Sequence, residues 1–505
     1  MKRRAFVRST LTAAAALSLP GRPVLAGTFR PARGRLQDLE AVTGDGRTVT
    51  LRAGALVDLR ARLRGSLLLR ADPGYDDARR LLNPSFDKYP ALVVQPTGVA
   101  DIRTAVDFAR ENQGLLLAVK CGGHSVSGQS TCDRGMQIDL SRFRDVRLDP
   151  KARRAWVTGG SLLGQVDHEA MSHGLVTPLG TVSHTGVGGL VTGGGFGRVA
   201  RRFGLSIDNL ESIDVVTADG QFHHANANEN ADLFWGVRGG GGNFGIVTSF
   251  QFRLHPMQRQ VVGGTVMYPF GKAKDVLRIM AEYAPEAPDE LDFAATVALP
   301  PGGADGAAGF FACWSGPASG AERALAPLRS LGTPLSDDLK TLDYVAVQRS
   351  GDIEDPRAMA GYLKAGFIRT FPADLIDAIM DGFQGHPGRM TNVFFQLGGG
   401  AIARVPSDAT AFAQRDILAN MLCALGWPAG TDPAEHIQWI RQYWARLEPF
   451  TYGFYTNDSD SDASAAKIQA NFRQNHERVV AVKNRYDPRN LFRLNTNVKP
   501  TVQTG

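Results

Sequence analysis

Three glycine-rich segments constrain this chain more than anything else in it. They are Cys121-Gly122-Gly123-His124-Ser125-Val126-Ser127-Gly128, a run with glycines at 186, 188, 189, 193, 194, 195 and 197, and Arg238-Gly239-Gly240-Gly241-Gly242-Asn243-Phe244-Gly245. Each strips side chains from a stretch of backbone. Successive bare N–H groups form anion-binding concavities, and the lack of Cβ atoms lets a flat or extended ligand lie against the main chain. A dinucleotide offers both a pyrophosphate and a flat ring. One such segment alone reads as a flexible loop or a tight turn. Three of them, separated by apolar strands, read as one binding surface. Glycine makes up 57 of 505 residues, about one in nine where about one in fourteen is usual.

Around these segments the chain alternates without a clean period. Apolar runs predict strands at 91–94, 115–120, 136–140, 154–158 and 213–217, with an amphipathic helix at 100–112, so the glycine-dense stretch opens as a β-α-β unit. Farther on, strands are expected at 265–268, 291–299, 308–314 and 392–397, and helices at 273–283, 321–330 and 408–425. One long helix is expected at 463–485, stopped by Tyr486-Asp487-Pro488. This mixture argues for an α+β fold rather than a doubly wound sheet, its second part an antiparallel sheet covered by helices on one face. Gly195-Phe196-Gly197-Arg198-Val199-Ala200 also meets the G-x-G-x-x-A pattern of a nicotinamide-binding fold. That fingerprint needs an apolar strand leading into the first glycine and an acidic residue ending the next strand about 20 residues on. Here the preceding residues are themselves glycine-rich, and the strand at 213–217 ends in the turn Ala218-Asp219-Gly220.

The formal charge of +6 comes almost wholly from the N-terminus. Residues 1–26 hold Lys2, Arg3, Arg4, Arg8 and Arg22 and no acid, which leaves the 50 acidic residues nearly balanced by the rest of the 56 basic ones. No basic stripe remains to bind a nucleic-acid backbone. Residues 1–26 read as an export leader: a basic start, an apolar stretch at 10–19, Pro20, and Val24-Leu25-Ala26 before Gly27. Arg3-Arg4-Ala5-Phe6-Val7 resembles a twin-arginine signal, which exports folded and often cofactor-loaded proteins; a general secretory leader with a chance Arg pair is the other reading. The apolar stretch is shorter than the ~18–20 residues of a membrane span, so no stable membrane insertion is expected. Cys121, Cys132, Cys313 and Cys423 have no zinc-type spacing, so no metal site is expected, and a bridge between Cys121 and Cys132 stays open.

Taken in order, the segments resemble the flavin-linked oxidases of the berberine bridge enzyme type, within the vanillyl-alcohol oxidase fold. The resemblance is carried by Gln95-Pro96-Thr97, the Gly-Gly-His-Ser loop, Thr185-Gly186-Val187-Gly188-Gly189 with the cluster at 193–197, Arg202-Phe203-Gly204-Leu205 with Asp208-Asn209, Asp232-Leu233-Phe234-Trp235 with the third glycine segment, and Tyr486-Asp487-Pro488-Arg489-Asn490-Leu491-Phe492. It covers nearly the whole chain after the leader. It implies an N-terminal extension at 27–70, an FAD-binding part at 71–256, a substrate-binding part at 257–455, and a C-terminal segment at 456–505 that returns to the FAD part.

The same resemblance implies that His124 is joined covalently to the 8α-methyl of FAD, with Gly122, Gly123, Ser125, Gly128, Thr185, Gly186, Gly188, Gly189, Gly193, Gly195, Gly245 and Ile246 around the cofactor and Asn495 and Asn497 beside its ring. An imidazole in a glycine-rich loop can be kept neutral and act as a nucleophile. Many relatives add a second bond from a cysteine four residues before the Gly-Val-Gly-Gly run; Val182 stands there, so a single link is expected. Thr185 occupies a place that governs oxygen access in the family. For the catalytic base the resemblance points to Tyr452, in a Tyr-x-Asn-aromatic pattern whose Asn is here Phe454, with Tyr455 as substitute. Gln396 with Gly398-Gly399-Gly400 is a candidate for the substrate pocket; His223 and His224 read as a solvated strand end, and His173 and His184, which flank the second glycine segment, read as packing residues with an approach to the active site as the alternative. The expected activity is oxidation of an alcohol, hemiacetal or amine-bearing carbon by hydride transfer to FAD, with O2 as acceptor. A dehydrogenase with another acceptor, or a flavin-binding protein with little turnover, are the alternatives. Substrate and oligomeric state are not legible.

Overall fold

The computed structural model describes residues 36–302, 305–355, 357–458 and 463–502. The leader expected at 1–26 lies outside the described residues. The apolar tetrad Leu92–Gln95 is buried at every position and enters a four-stranded sheet in the order Ser66–Leu68, Leu92–Gln95, Met136–Asp139, Leu117–Lys120. The expected β-α-β unit is present, its helix Val99–Glu111 burying Ile102, Ala105, Val106 and Ala109. Its two strands are not neighbours, however, because Met136–Asp139 lies between them and runs parallel to both. Much of the segment expected as an extension belongs to this core, where Ala41, Leu51, Leu56 and Leu67 pack with Leu92 and Ile138.

A five-stranded antiparallel sheet follows, in the order Phe222–Asn226, Leu210–Val216, Ile246–Arg253, Arg154–Thr158, Val146–Asp149. Phe472, Val479 and Val482 from the C-terminus are buried in the same cluster as Trp235 and Phe250, so the tail docks on the glycine-rich half. The single helix expected at 463–485 is broken into Ala465–Phe472 and His476–Tyr486, with a short 3-10 turn at Arg473–Asn475. Tertiary bonds compete with its continuation: Asn475 donates to the carbonyls of Ser407 and Thr410 at 2.7 and 3.0 Å. The stop at Tyr486 falls where Asp487-Pro488 requires it.

The broadest sheet has eight strands paired antiparallel, and its main part runs Gln260–Pro269, Ala307–Trp314, Leu291–Leu299, Met390–Leu397, Ala419–Pro428, Met359–Ile368. Strict alternation in Leu291–Leu299 puts Phe293, Ala295 and Val297 into a core with Leu277, Ile379 and Tyr443 of three covering helices. The helix expected at 408–425 does not form. Ala419–Pro428 is instead a ten-residue strand between Met390–Leu397 and Met359–Ile368. Met421, Leu422, Cys423 and Leu425 are all buried, and a short apolar run buried on both faces has no periodicity to tell strand from helix. Among the described residues no helix is long and apolar enough to cross a membrane.

Candidate active site

The two halves meet along a cleft of about 380 Å³. Its floor is backbone: Gly122, Gly123, Gly186, Gly188, Gly189, Gly241, Gly242 and Gly245 line it together with His124, Ser125, Thr185 and Ile246. The first two glycine segments touch back to back. A Cβ on Gly122 would lie 2.3 Å from the amide nitrogen of Gly186, and one on Gly186 would lie 2.3 Å from that of Gly122. No side chain fits between these loops. At Gly189 and Gly241, by contrast, a Cβ would meet nothing within 4 Å, so their main chain lies bare.

Asn495 closes one end. Its amide nitrogen donates to the carbonyls of Gly242 and Phe492, both at 3.1 Å, while its Oδ1 is buried without a protein partner. Asn497 lies beyond the lining, its Oδ1 buried and equally unpaired. Two orphan amide oxygens are costly unless something else donates to them. Together with the bare glycine floor the Asn495 oxygen fits a flat, hydrogen-bonding ring with an extended phosphate tail, which is what FAD presents.

Not every glycine expected at the cofactor lines the cleft. Gly128 sits under the Phe86 ring, and Gly193 backs onto the Asn457 amide. Gly195 has φ +86°, a Cβ there would strike Ser206, and its N–H donates to the Tyr455 hydroxyl at 2.8 Å. These three shape the loops from behind. Gln396 does reach the cleft, whereas Gly400 abuts the Arg201 carbonyl.

His124 is held neutral. Burial, reinforced by the neighbouring His184, lowers its pKa to about 4. Val182 lines the cleft where a second attachment would need a thiol. Cys121 also lines it, but burial pushes its thiol up to about 11 and its Sγ donates to the Gly159 carbonyl at 3.0 Å. All four cysteines are free.

The tyrosines fall differently from expectation. Tyr452 is 48% exposed, outside the cleft, with the Arg369 guanidinium 4.6 Å from its ring centroid. Pairing with Phe367 on both sides, through Tyr452 N to Phe367 O and Phe367 N to Gly453 O, holds this segment at the sheet. Tyr455 does line the cleft, but its hydroxyl accepts from Gly195 N and from Asn457 Nδ2, both at 2.8 Å, and burial pushes its pKa well above the ordinary phenol value. It braces the second glycine segment. Of the two phenols only that of Tyr455 reaches the cleft, where it already accepts two hydrogen bonds.

One acidic side chain of the cleft was not among the residues expected there. Asp458 lines the cleft, partly buried, and burial raises its carboxyl to about 6. Asn420 Nδ2 donates to Asp458 Oδ2 at 2.8 Å and to Gln396 Oε1 at 3.0 Å, joining the three polar side chains. Asp458 falls between the tyrosine pattern at 452–455 and the helix expected at 463–485, in a stretch given no role, and Asn420 lay in the segment expected to be helical. The acid three residues after Tyr455 was the available signal. His184 was also underrated, since its Nδ1 lies 2.6 Å from His124 Nε2. His224 pairs with Asp214 at 2.7 Å on a strand, away from the cleft.

Comparison with known proteins agrees with this arrangement. A model of the FAD binding domain matches residues 90–226, and one described as berberine and berberine like matches residues 455–499. An FAD-linked oxidoreductase of Dictyostelium discoideum is 32% identical over 415 residues, covering 81% of this chain and 89% of that protein. The xylooligosaccharide oxidase of Thermothelomyces thermophilus is 28% identical over 447 residues, covering 81% and 87%. Among solved structures, the 6-hydroxy-D-nicotine oxidase of Arthrobacter nicotinovorans superposes with a TM-score of 0.79 at 26% identity, over 86% of this chain and 98% of that one. The chain belongs to the FAD-linked oxidoreductases of the berberine bridge enzyme type and is a flavin-dependent enzyme.

Proposed function

We propose that this is an exported oxidase that takes a hydride from an alcohol, hemiacetal or amine-bearing carbon of a small molecule and carries its FAD on a single covalent bond to His124. The observation that carries the proposal is one cleft lined both by a bare glycine floor with His124 and by Asp458 and Gln396 from beyond the first half. FAD, when bound, supplies the hydride acceptor and passes the electrons to O2, which leaves as H2O2. Gly189, Gly241 and the loops around them would hold it, and Asn495 Oδ1 would accept from its polar ring edge. Asp458 takes the hydroxyl or amine proton of the substrate. A carboxylate near pKa 6 is ionised at neutral pH and still basic enough to share a proton in the transition state. Asn420 holds one of its oxygens in place, and Gln396 presents an amide that orients the substrate beside it. The division into an FAD part at 36–256 and 456–505, which takes in the segment before 71 that packs in its core, and a substrate part at 257–455 is proposed on the same basis, and export rests on the leader at 1–26.

Two relatives oxidise a xylooligosaccharide and a hydroxynicotine, so sugars with a free hemiacetal and cyclic amines are the first substrates to offer. Peroxide released in air supports the oxidase. Anaerobic bleaching of the flavin without peroxide in air replaces it with a dehydrogenase, and no bleaching by either class removes both from the substrate range. For the cofactor, trichloroacetic acid should leave the yellow colour of the wild-type protein in the pellet. The same treatment of His124→Ala should release all flavin to the supernatant; colour that stays with the pellet would place the linkage elsewhere.

A further inference from the structure

His184 precedes Thr185 on the loop that carries the second glycine segment, and it does not line the cleft. Its ring centroid is 4.6 Å from that of His124, with the planes 31° apart, and its Nδ1 lies 2.6 Å from His124 Nε2. The other nitrogen, Nε2, accepts from the backbone N–H of Ile353 at 3.4 Å. The preceding Asp352 accepts from the N–H and the hydroxyl of Ser183 at 2.8 and 2.5 Å, so residues 352 and 353 hold the loop at Ser183 and at His184 itself.

For two neutral rings these contacts select one pair of tautomers. A neutral imidazole carries one N–H, and a nitrogen that accepts from an amide must offer a lone pair. With Nε2 accepting from Ile353, the proton of His184 sits on Nδ1 and is donated to His124 Nε2. His124 Nε2 is thereby occupied as an acceptor, and Nδ1 is the nitrogen left to form a bond.

We propose that His184 is the positioning residue for flavin attachment: its donated hydrogen bond fixes the rotation and the tautomer of the His124 ring. This rests on the reading that His124 is the attachment site. In the attachment step a bond forms between His124 Nδ1 and the 8α carbon, while one methyl C–H and the Nδ1 N–H break. The two electrons and two protons released reduce the ring, and O2 takes them up as H2O2. The product is an imidazole substituted at Nδ1 with a bare Nε2, which is the form that the His184 N–H satisfies. Through the grip of residues 352 and 353, a loop of the substrate half thus bears on how the cofactor is loaded.

The test is a time course of acid-stable flavin after FAD is added to flavin-free protein, with acid-released flavin measured in parallel as non-covalent binding. His184→Ala is expected to slow the acid-stable signal by about tenfold or more, the scale of one lost hydrogen bond to a reacting group, while still binding FAD reversibly. His184→Asn, whose amide N–H can stand where Nδ1 stood, is expected to recover most of the rate. Attachment at the wild-type rate in the Ala variant overturns the proposal, as does an Asn variant no faster than Ala. Should the Ala variant not fold, His184→Phe keeps the ring volume without the donor, and a rate equal to that of His184→Asn overturns it equally. His124→Ala separates the two claims: acid-stable flavin in that variant refutes the attachment site itself, whatever His184 does.

Discussion

Asp458→Asn slows anaerobic flavin reduction by about 10²–10⁴-fold, the range for loss of a positioned general base. The asparagine keeps the size of the side chain and can still meet Asn420, which donates to Asp458 at 2.8 Å in the wild type. What it loses is the capacity to hold a proton. Because burial raises this carboxyl to about 6, the wild-type rate should fall as the pH drops through that value and level off above it. The variant should show no such limb. A raised carboxyl pKa also means that the folded chain binds this proton more tightly than the unfolded one, so the ionised group lowers stability as pH rises from the ordinary carboxylate range through about 6. Asp458→Asn is therefore expected to be no less stable at pH 7, which separates lost chemistry from lost folding. In the same assay Tyr452→Phe should stay within about threefold of wild type, since that ring is half exposed and outside the cleft. A hundredfold loss in the Phe variant with none in the Asn variant would return the role of base to the tyrosine.

The second large effect concerns folding. Lys483 and Asp487 are both fully buried, 2.7 Å apart. The ammonium also donates to the carbonyls of Asn243 and Phe492, each at 2.9 Å, and Asp487 accepts the N–H groups of Leu491 and Phe492 at 2.7 and 2.9 Å. Burial lowers the pKa of Lys483 and raises that of Asp487, so for both partners the loss of water outweighs their attraction. A pair of this kind adds little net stability, yet removing one member strands a buried charge at a cost of about 3–5 kcal/mol. Asp487→Ala should lower the denaturant midpoint by a corresponding amount and release the tail that brings Asn495 to the cleft. Asp487→Asn, which retains an acceptor for one of the two N–H groups, should lose less. Equal midpoints for wild type and the Ala variant would show that Lys483 finds another partner.

This pair explains why Tyr486-Asp487-Pro488-Arg489-Asn490-Leu491-Phe492 was so legible as a motif. Its residues serve a local purpose, ending a helix and folding the chain back on its own last turn, and local purposes leave marks at fixed spacing. The glycine segments are legible for the same reason, because each backbone passage needs the absence of a side chain at a particular place, as Gly122 and Gly186 show. The candidate base was hidden for the opposite reason. Asp458, Asn420 and Gln396 are brought together from a loop and two paired strands, and Gln396 faces Asn420 only through the register of those strands. Read one by one, they are an acid in a polar loop, an amide in a presumed helix and an amide on a strand.

His184 makes the same point. Its neighbourhood in the chain marks it as a packing residue, and only the approach of the first glycine loop makes it the partner of His124. The amino-acid sequence by itself determined the family, the dinucleotide floor and the histidine beside it, because those depend on backbone conformation and on short-range spacing. The tertiary structure decided which polar groups share the cleft and which lie outside it. Burial and hydrogen bonding set the acidity of a side chain, and both come from residues far away in the chain.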